Sequence, residues 1–163
     1  MSEPAFWRTE VWHPLTVHLP IAVLLLATLA KLIGLPLKPA QADFWQRTGA
    51  YLLYVGSVAA WVSVYTGDMA DGVVSRKLCD PTVLKSHEQA AFTLAYLFSA
   101  AAVLELGMRL HLIRAFQRLL GIVVVLLLVA GSGFLVYTAH LGATIVYQQA
   151  GGVHVPSSDC AGY

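Results

Sequence analysis

Four long apolar stretches dominate the chain and limit what it can fold into. They lie at residues 15–35, 49–67, 88–108 and 119–147. Each is close to, or longer than, the ~20 residues that an α-helix needs to cross the hydrocarbon core of a bilayer. Little else remains in a chain of 163 residues. The sequence therefore predicts an all-α membrane four-helix bundle, threaded up-down-up-down, with residues 1–163 forming a single transmembrane domain.

The composition excludes an ordinary soluble domain. Hydrophobic residues make up 58% of the chain and charged residues 12%, against roughly 45–50% and 25% in soluble proteins. The segment before the first stretch, SEPAFWRTEVW, is not basic, and no A-x-A-like cleavage site follows the stretch. The first stretch is therefore expected to be a permanent helix rather than a signal peptide. The lipid bilayer is the expected partner, and nucleic acid is not.

Basic residues predict the orientation of the helices. Six of the ten Lys and Arg fall at the end of stretch one, between stretches one and two, or between stretches three and four, which places them on one side of the membrane. The positive-inside rule makes that side cytoplasmic. The sequence thus predicts a multi-pass protein of a bacterial inner membrane with both termini outside, in the periplasm. The six residues are Lys31, Lys38, Arg47, Arg109, Arg114 and Arg118.

Both cysteines fall on the predicted outer side. Cys79 lies between stretches two and three, and Cys160 lies in the C-terminal tail. Because an oxidising compartment permits disulfides, the sequence predicts a Cys79–Cys160 bridge. Two unrelated thiols are the alternative. No C-x-x-C-H motif occurs, so covalent c-type haem attachment has no support.

Four histidines gather at the predicted outer ends of three helices. His13 and His18, in HPLTVHLP, lie where helix one starts, His87 where helix three starts, and His140 near the end of helix four. Ionisable groups at this depth tend to face the bundle interior and to mark functional sites. A lone interfacial histidine is usually only hydrogen-bonded, but four at one level favour a shared ligand. His111, in a basic loop, and His154, in the tail, are not assigned to it.

Haem is the ligand that the surroundings favour. Imidazole binds haem iron, copper, zinc and non-haem iron, and helix bundles build cofactor sites from side chains on facing helices. The sequence predicts one or two b-type haems bound by His18, His87, His140 and His13 as axial ligands to iron. His13 and His18 are five residues apart, about 140° around a helix, and are expected to point to different irons or to have different roles. Small residues on helix two would leave room for a flat cofactor, aromatic side chains would line its site, and basic side chains would pair with its propionates. The small residues are Gly49, Gly56, Ala60, Ser63 and Gly67; the aromatic residues are Trp12, Trp61, Phe92, Tyr96 and Tyr137; and the basic residues are Arg8, Arg76, Lys77 and Lys85.

A small metal ion is the main alternative ligand. Zinc and copper sites normally use three or four protein ligands. Asp68, Asp71 and Glu88 lie near enough in sequence to supplement the histidines. Cu, Zn and Fe therefore stay open as alternatives to haem.

Three segments resemble a known family. HPLTVHLPIAVLLL resembles the HPxxVHxPIA N-terminal signature of a bacterial family of predicted four-helix membrane proteins of unknown function. AHLGATIVYQQAGGV resembles the closing motif of that family, and SHEQAAF its mid-chain histidine segment. The likeness covers nearly the whole chain, although Ala143 replaces a frequent glycine and Gly151-Gly152-Val153 departs from G-x-G-V. It implies the four-helix fold and, because some members are associated with periplasmic c-type cytochrome domains, a b-type haem role in electron transfer.

The predicted function is that of a membrane cytochrome b. It would exchange electrons with a periplasmic cytochrome or within a respiratory complex. No phosphate-binding loop, catalytic triad or internal repeat is evident in the residues, which favours an electron-transfer protein or subunit over a stand-alone enzyme. A histidine-based metal-binding or transport protein and a cofactor-free structural anchor subunit are the two rival functions.

Overall fold

A computed structural model describes residues 8–112 and 116–153. Within these ranges the chain forms four long α-helices and one short 3₁₀ turn, Ser75–Lys77, after the second helix. The arrangement confirms the predicted all-α membrane bundle of four helices. The helices are α1, Thr9–Gly34; α2, Pro39–Val74; α3, Pro81–Arg109; and α4, Gln117–Gln149.

The helices extend beyond the apolar stretches at most of their ends. Proline at the first helical position starts both α2 and α3, as Pro39 and Pro81, where its missing N–H costs no hydrogen bond. Asp80 caps α3 by accepting a hydrogen bond from the Thr82 backbone N–H at 2.9 Å. Hydropathy detects only the segment that lies in the hydrocarbon, so it misses these polar first turns. His13 and His87 consequently lie inside their helices rather than at the first residues.

All four helices are long and apolar enough to cross a membrane. Large apolar side chains are exposed on each of them, including Leu26, Val58, Val103 and Leu126, all more than half exposed. Lipid tails are the solvent that accepts such surfaces without cost. The exposed apolar surface therefore agrees with a membrane location.

The bundle consists of two tightly packed helical hairpins. α1 packs mainly on α2 and α3 mainly on α4, while α2–α3 and α1–α4 form looser seams between the hairpins. α1 therefore lies diagonally opposite α3, and α2 diagonally opposite α4. The apolar core between them consists of Leu24, Ala27, Leu53, Ala60, Leu94, Phe98, Ala101, Val124, Leu128 and Leu135.

The two hairpins repeat the same packing register. Every residue buried in α4 has a buried counterpart in α2, 75 positions earlier in the chain. Four of the six buried residues of α3 have buried counterparts in α1, 74 positions earlier. The chain is therefore an internal repeat of a helical hairpin in structure. Residue identities show the repeat only in part: Leu53 matches Leu128 and Gly56 matches Gly131, but most buried counterparts differ in residue type.

Glycine contacts show the repeat in atomic detail. A Cβ added to Gly56 of α2 would lie 2.5 Å from Leu24 Cδ2, and one added to Gly131 of α4 would lie 2.9 Å from Phe98 Cε2. Gly131 follows Gly56 by 75 positions, and Phe98 follows Leu24 by 74. In each hairpin, a large side chain of the first helix thus packs against a glycine of the second helix.

Candidate functional site

His13 is fixed by the helix next to it. Its Nδ1 lies 2.9 Å from the Ser63 carbonyl oxygen on α2. One turn further along α2, a Cβ added to Gly67 would lie only 3.1 Å from the His13 ring. The ring therefore packs directly on the α2 backbone, and the carbonyl sets its rotation.

His87 is fixed in the same way within the second hairpin. Its Nδ1 lies 2.9 Å from the Thr138 carbonyl oxygen on α4, and a Cβ added to Gly142 would lie 3.2 Å from its Cε1. Thr138 and Gly142 are the counterparts of Ser63 and Gly67 in the hairpin repeat. The surroundings of the two imidazoles are therefore equivalent, because each ring contacts a carbonyl and a glycine at corresponding positions in the second helix of its hairpin.

The carbonyl contacts determine which ring nitrogen can bind a ligand. A carbonyl oxygen only accepts hydrogen bonds, so Nδ1 must carry the hydrogen in both His13 and His87. Nε2 of each neutral imidazole is then left with a free lone pair. Histidines that bind metals commonly have their other nitrogen held by a backbone carbonyl in this way.

The two rings meet between the two hairpins, near one end of the bundle. Their centroids are 6.0 Å apart and their planes are 88° apart. Two imidazoles on opposite sides of one metal ion, with metal–nitrogen bonds of about 2.0–2.1 Å, have ring centres about 6 Å apart. The two histidines come from the diagonal pair α1 and α3, while the other diagonal pair contributes the glycines. By donor chemistry and ring spacing, His13 and His87 would suit a group that binds two imidazoles, such as a haem.

The structure does not bring His18 and His140 to this pair. Both side chains are exposed on the outside of the bundle. His18 lies about 140° around α1 from His13. His140 lies midway between Thr138 and Gly142, whose positions face His87, and therefore points to the opposite side of α4. The sequence placed all four histidines at one end, and the structure separates them into an inner pair and two outer residues.

The carboxylates near the site do not join the inner pair. Within residues 8–112 and 116–153, no three His, Cys, Asp or Glu side chains come together as a group that could hold a metal ion. Asp68 is exposed, and Glu88 pairs with Lys85. The inner pair thus offers two protein ligands.

Only some of the aromatic and basic residues that were predicted to surround the cofactor lie close to one another in the structure. Trp61 stacks edge-on with Phe92 and Tyr96 between α2 and α3, and its Nε1 donates to Ser99 Oγ at 2.9 Å. Tyr137 is exposed on α4. Among the basic side chains, Arg8 pairs with Glu10 at 2.7 Å, while Arg76 and Lys77 are exposed.

A buried charge cluster at the far end of the bundle was missed by sequence reasoning. Lys31 and Arg109 were assigned to cytoplasmic loops, but both belong to helices, and Lys31 is 3% exposed. Glu105 lies 2.7 Å from Lys31 Nζ and 2.7 Å from Arg109 Nε. The available signal was spacing, since Lys31 and Glu105 each follow the inner histidine of their helix by 18 residues.

The predicted disulfide lies partly outside the described residues. Cys79 is exposed in the connection between α2 and α3. Cys160 and His154 fall outside the residues that the structure describes. The Cys79–Cys160 bridge therefore stays a prediction.

The fold and this site define a class of protein: a four-helix membrane bundle with two histidines paired between its hairpins near one end. The family described as "Predicted membrane protein (DUF2231)" matches residues 10–155. The chain therefore belongs to this family of predicted membrane proteins. Neither a search of curated proteins nor a search of solved structures gives a match.

Proposed function

We propose that the protein is a membrane b-type cytochrome that binds one haem between His13 and His87. The observation that carries this proposal is the inner pair: two imidazoles from different hairpins, each with Nδ1 held by a backbone carbonyl, and with ring centres 6.0 Å apart. A haem needs only two protein ligands, whereas zinc sites normally use three or four. The set of two therefore favours haem over a small ion.

The residues of the chain would bind and orient the cofactor rather than take part in bond-making. Haem, when bound, supplies reversible one-electron chemistry at iron. The Ser63 and Thr138 carbonyls hold the tautomer that leaves Nε2 free, and Gly67 and Gly142 allow the rings to lie against the helix backbones. The low-dielectric surroundings of the two histidines would tune the redox potential of a haem bound there. Electron transfer with a periplasmic c-type cytochrome, or within a respiratory complex, fits a site close to one end of the bundle.

The proposal is tested by the haem content of histidine variants. The full chain is purified in detergent and a reduced-minus-oxidised spectrum is recorded. We expect bands of bis-imidazole haem, lost in His13→Ala and in His87→Ala and retained in the matched controls His18→Ala and His140→Ala. Added imidazole should restore haem binding to the first two variants if they have lost only a ligand.

Other outcomes point to the rival functions. Unchanged haem loading in both His13→Ala and His87→Ala would contradict the ligand assignment. A colourless protein with stoichiometric Cu, Zn or Fe by elemental analysis would support a metal-binding or transport role for the same histidines. A colourless protein without metal would support a structural anchor subunit.

We also propose that the end with the inner pair faces the periplasm. The support is the excess of Lys and Arg toward the opposite end of the bundle, where six of the ten residues lie in the loops or in the adjoining helix ends. Labelling of Cys79 tests this orientation, because Cys79 is exposed at the inner-pair end. A membrane-impermeant maleimide should label it in intact spheroplasts, after reduction if the disulfide with Cys160 is present. Labelling only after lysis would show that the inner-pair end faces the cytoplasm instead.

A further inference from the structure

An aromatic groove lies in the seam between α2 and α3, beside the inner pair. It has a volume of about 310 Å³. Its lining residues are Trp61, Val64, Tyr65, Asp68 and Phe92. Tyr65 is 66% exposed, so the groove opens on the outer surface of the bundle, where lipid lies. A molecule of the membrane can therefore reach the groove without entering the bundle.

Rings from both helices form adjoining walls of the aromatic groove. The planes of Trp61 and Phe92 are 64° apart and their centroids are 6.2 Å apart, so the two rings meet at an angle instead of stacking. Tyr96 supports both rings, because it contacts Trp61 edge-on at 5.3 Å and stacks on Phe92 at 6.3 Å. Donation from Trp61 Nε1 to Ser99 Oγ at 2.9 Å fixes the indole further. Aromatic faces of this kind attract cations.

Asp68 adds a full negative charge to the same groove. It directly follows the apolar stretch 49–67, so it lies where the hydrocarbon ends and the lipid head groups begin. Its neighbour Gly67 lies against His13, which places Asp68 level with the inner pair. Among the described residues, no group forms a hydrogen bond or ion pair with the Asp68 carboxylate. Carboxylates at membrane depth usually have a partner, and the described chain supplies none to Asp68.

The other seam between the hairpins shows that packing does not require these residues. The repeat carries the α2–α3 seam onto the α4–α1 seam, with offsets of 75 positions for α2 and 74 for α3. The counterparts of the lining residues are Val136, Ala139, His140, Ala143 and His18. None of these is a tryptophan, a tyrosine, a phenylalanine or a carboxylate. The aromatic groove is therefore a property of one seam and not of the fold.

We propose that the aromatic groove binds the ammonium head group of a phosphatidylethanolamine-type lipid. The ammonium lies against Trp61 and Phe92 and pairs with Asp68, since aromatic rings are the usual means of binding organic ammonium groups. The lining carries one carboxylate and, among the described residues, no Lys or Arg, so its charge complements a cation. A lipid is the source of the ammonium, because the groove opens toward lipid and Asp68 lies at head-group depth.

Native mass spectrometry of the full chain in detergent tests this site with two matched lipids. One is a short-chain phosphatidylethanolamine, and the other is the corresponding phosphatidylethanol, which lacks only the ammonium group. We expect tighter binding of phosphatidylethanolamine, because only this lipid brings a cation to the groove. Equal affinity for the two lipids would overturn the proposal and assign binding to the parts that they share.

Two substitutions remove the charge and the ring separately. Asp68→Asn removes the negative charge and keeps the shape, while Phe92→Leu removes a ring and keeps an apolar side chain. Each should weaken phosphatidylethanolamine binding about two- to fivefold, the effect of one exposed ion pair or cation–π contact. Neither should weaken binding of phosphatidylethanol. Unchanged phosphatidylethanolamine affinity in both variants would contradict the site.

Matched controls separate the groove from general effects on the bundle. Asp71→Asn removes a carboxylate from the same end of α2, and Phe44→Leu removes an exposed ring at the other end of α2. Neither residue lines the groove, so both variants should bind phosphatidylethanolamine as the unmodified chain does. Thermal melting of each variant checks that the bundle stays folded. An equal loss of lipid binding in the controls would also overturn the proposal.

The deacylated lipid distinguishes a lipid head group from a soluble amine. Glycerophosphoethanolamine carries the same ammonium but has no acyl chains to lie along the exposed apolar surface. It should compete with phosphatidylethanolamine only at much higher concentration. Equal affinity for the lipid and its deacylated form would assign the groove to a soluble amine and contradict the lipid as its source.

This inference is independent of haem binding. His13→Ala and His87→Ala should leave phosphatidylethanolamine binding unchanged, and Asp68→Asn should leave haem content unchanged. That pair of results would support both sites. A protein without haem would contradict the proposed function and leave the lipid result standing.

Discussion

Lys31 and Glu105 form a buried ion pair across the bundle, with Nζ and Oε1 2.7 Å apart. They come from the same two diagonal helices as His13 and His87, and each lies 18 residues after the histidine of its helix. The two hairpins are thus joined at one end by paired imidazoles and at the other by paired charges. Arg109 adds a second cation to Glu105 and also donates to the Gln46 carbonyl oxygen at 2.9 Å.

Removing the carboxylate should destabilise the bundle more than removing the lysine. Glu105→Gln leaves Lys31 buried without a counter-charge, which typically costs about 3–5 kcal/mol. Lys31→Met leaves Glu105 still paired with Arg109, so we expect a smaller loss. Unfolding in detergent measures both values. Equal losses for the two variants would show that Arg109 does not compensate.

A methyl group added beneath either inner imidazole should reduce haem binding. Gly67→Ala and Gly142→Ala place a Cβ at 3.1 and 3.2 Å from the rings of His13 and His87. Overpacking of this kind costs about 1–3 kcal/mol, and here the ring must shift away from its carbonyl. Haem per chain, measured by absorbance, should fall in both variants. Gly133→Ala is the control, since nothing lies within 4 Å of its added Cβ. An equal fall in the control would contradict this reason.

A threonine at position 102 should satisfy an unpaired hydroxyl. Ser57 Oγ is buried without a hydrogen-bond partner in the described chain. Its counterpart Ser132 lies 3.0 Å from Thr28 Oγ1, and Thr28 corresponds to Ala102. Ala102→Thr should therefore supply the missing partner and stabilise the bundle by about 0.6 kcal/mol, the average for hydrogen bonds between membrane helices.

The double variant Ser57→Ala with Ala102→Thr separates the hydrogen bond from the added volume. We expect it to lose the gain in unfolding free energy. A gain that persists without the Ser57 hydroxyl would show that packing, not hydrogen bonding, is responsible.

The start of α3 should become less stable in acid. Hydrogen bonds from the Thr82 side chain and backbone N–H lower the pKa of Asp80. A carboxyl group with a lowered folded-state pKa adds stability above its ordinary pKa, and that stability is lost as the pH falls through the lowered value. Asp80→Asn keeps a good cap and should remove this part of the pH dependence of thermal melting. An unchanged acid profile in Asp80→Asn would assign the dependence to other groups.

Some of the site could be predicted from the sequence and some could not. The apolar stretches placed His13, His18, His87 and His140 near one end of the bundle, since depth follows from position along a spanning helix. Pairing depends instead on rotation about each helix axis, which is set by contacts such as Gly67 under His13. The sequence ranked His18 first among the ligands, and the structure leaves it exposed.

The hairpin repeat is only partly visible in residue identities, since His13 and His87 match at one offset and Gly67 and Gly142 at the other, but most buried counterparts differ. Leu24 corresponds to Phe98, and Lys31 corresponds to Glu105, so the counterparts share burial without sharing chemistry. Packing selects size and position at each contact, and many residue pairs satisfy it. The register of buried positions in three dimensions shows the repeat along the full length of both hairpins.

The sequence by itself determined a membrane bundle of four helices, because a long apolar stretch can satisfy its backbone polar groups in lipid only as a helix. The tertiary structure decided that His13 meets His87 and that Lys31 meets Glu105. The physical reason is that groups far away in sequence orient each side chain: carbonyls and glycines of the neighbouring helices for the two histidines, and the opposite charge for Lys31 and Glu105.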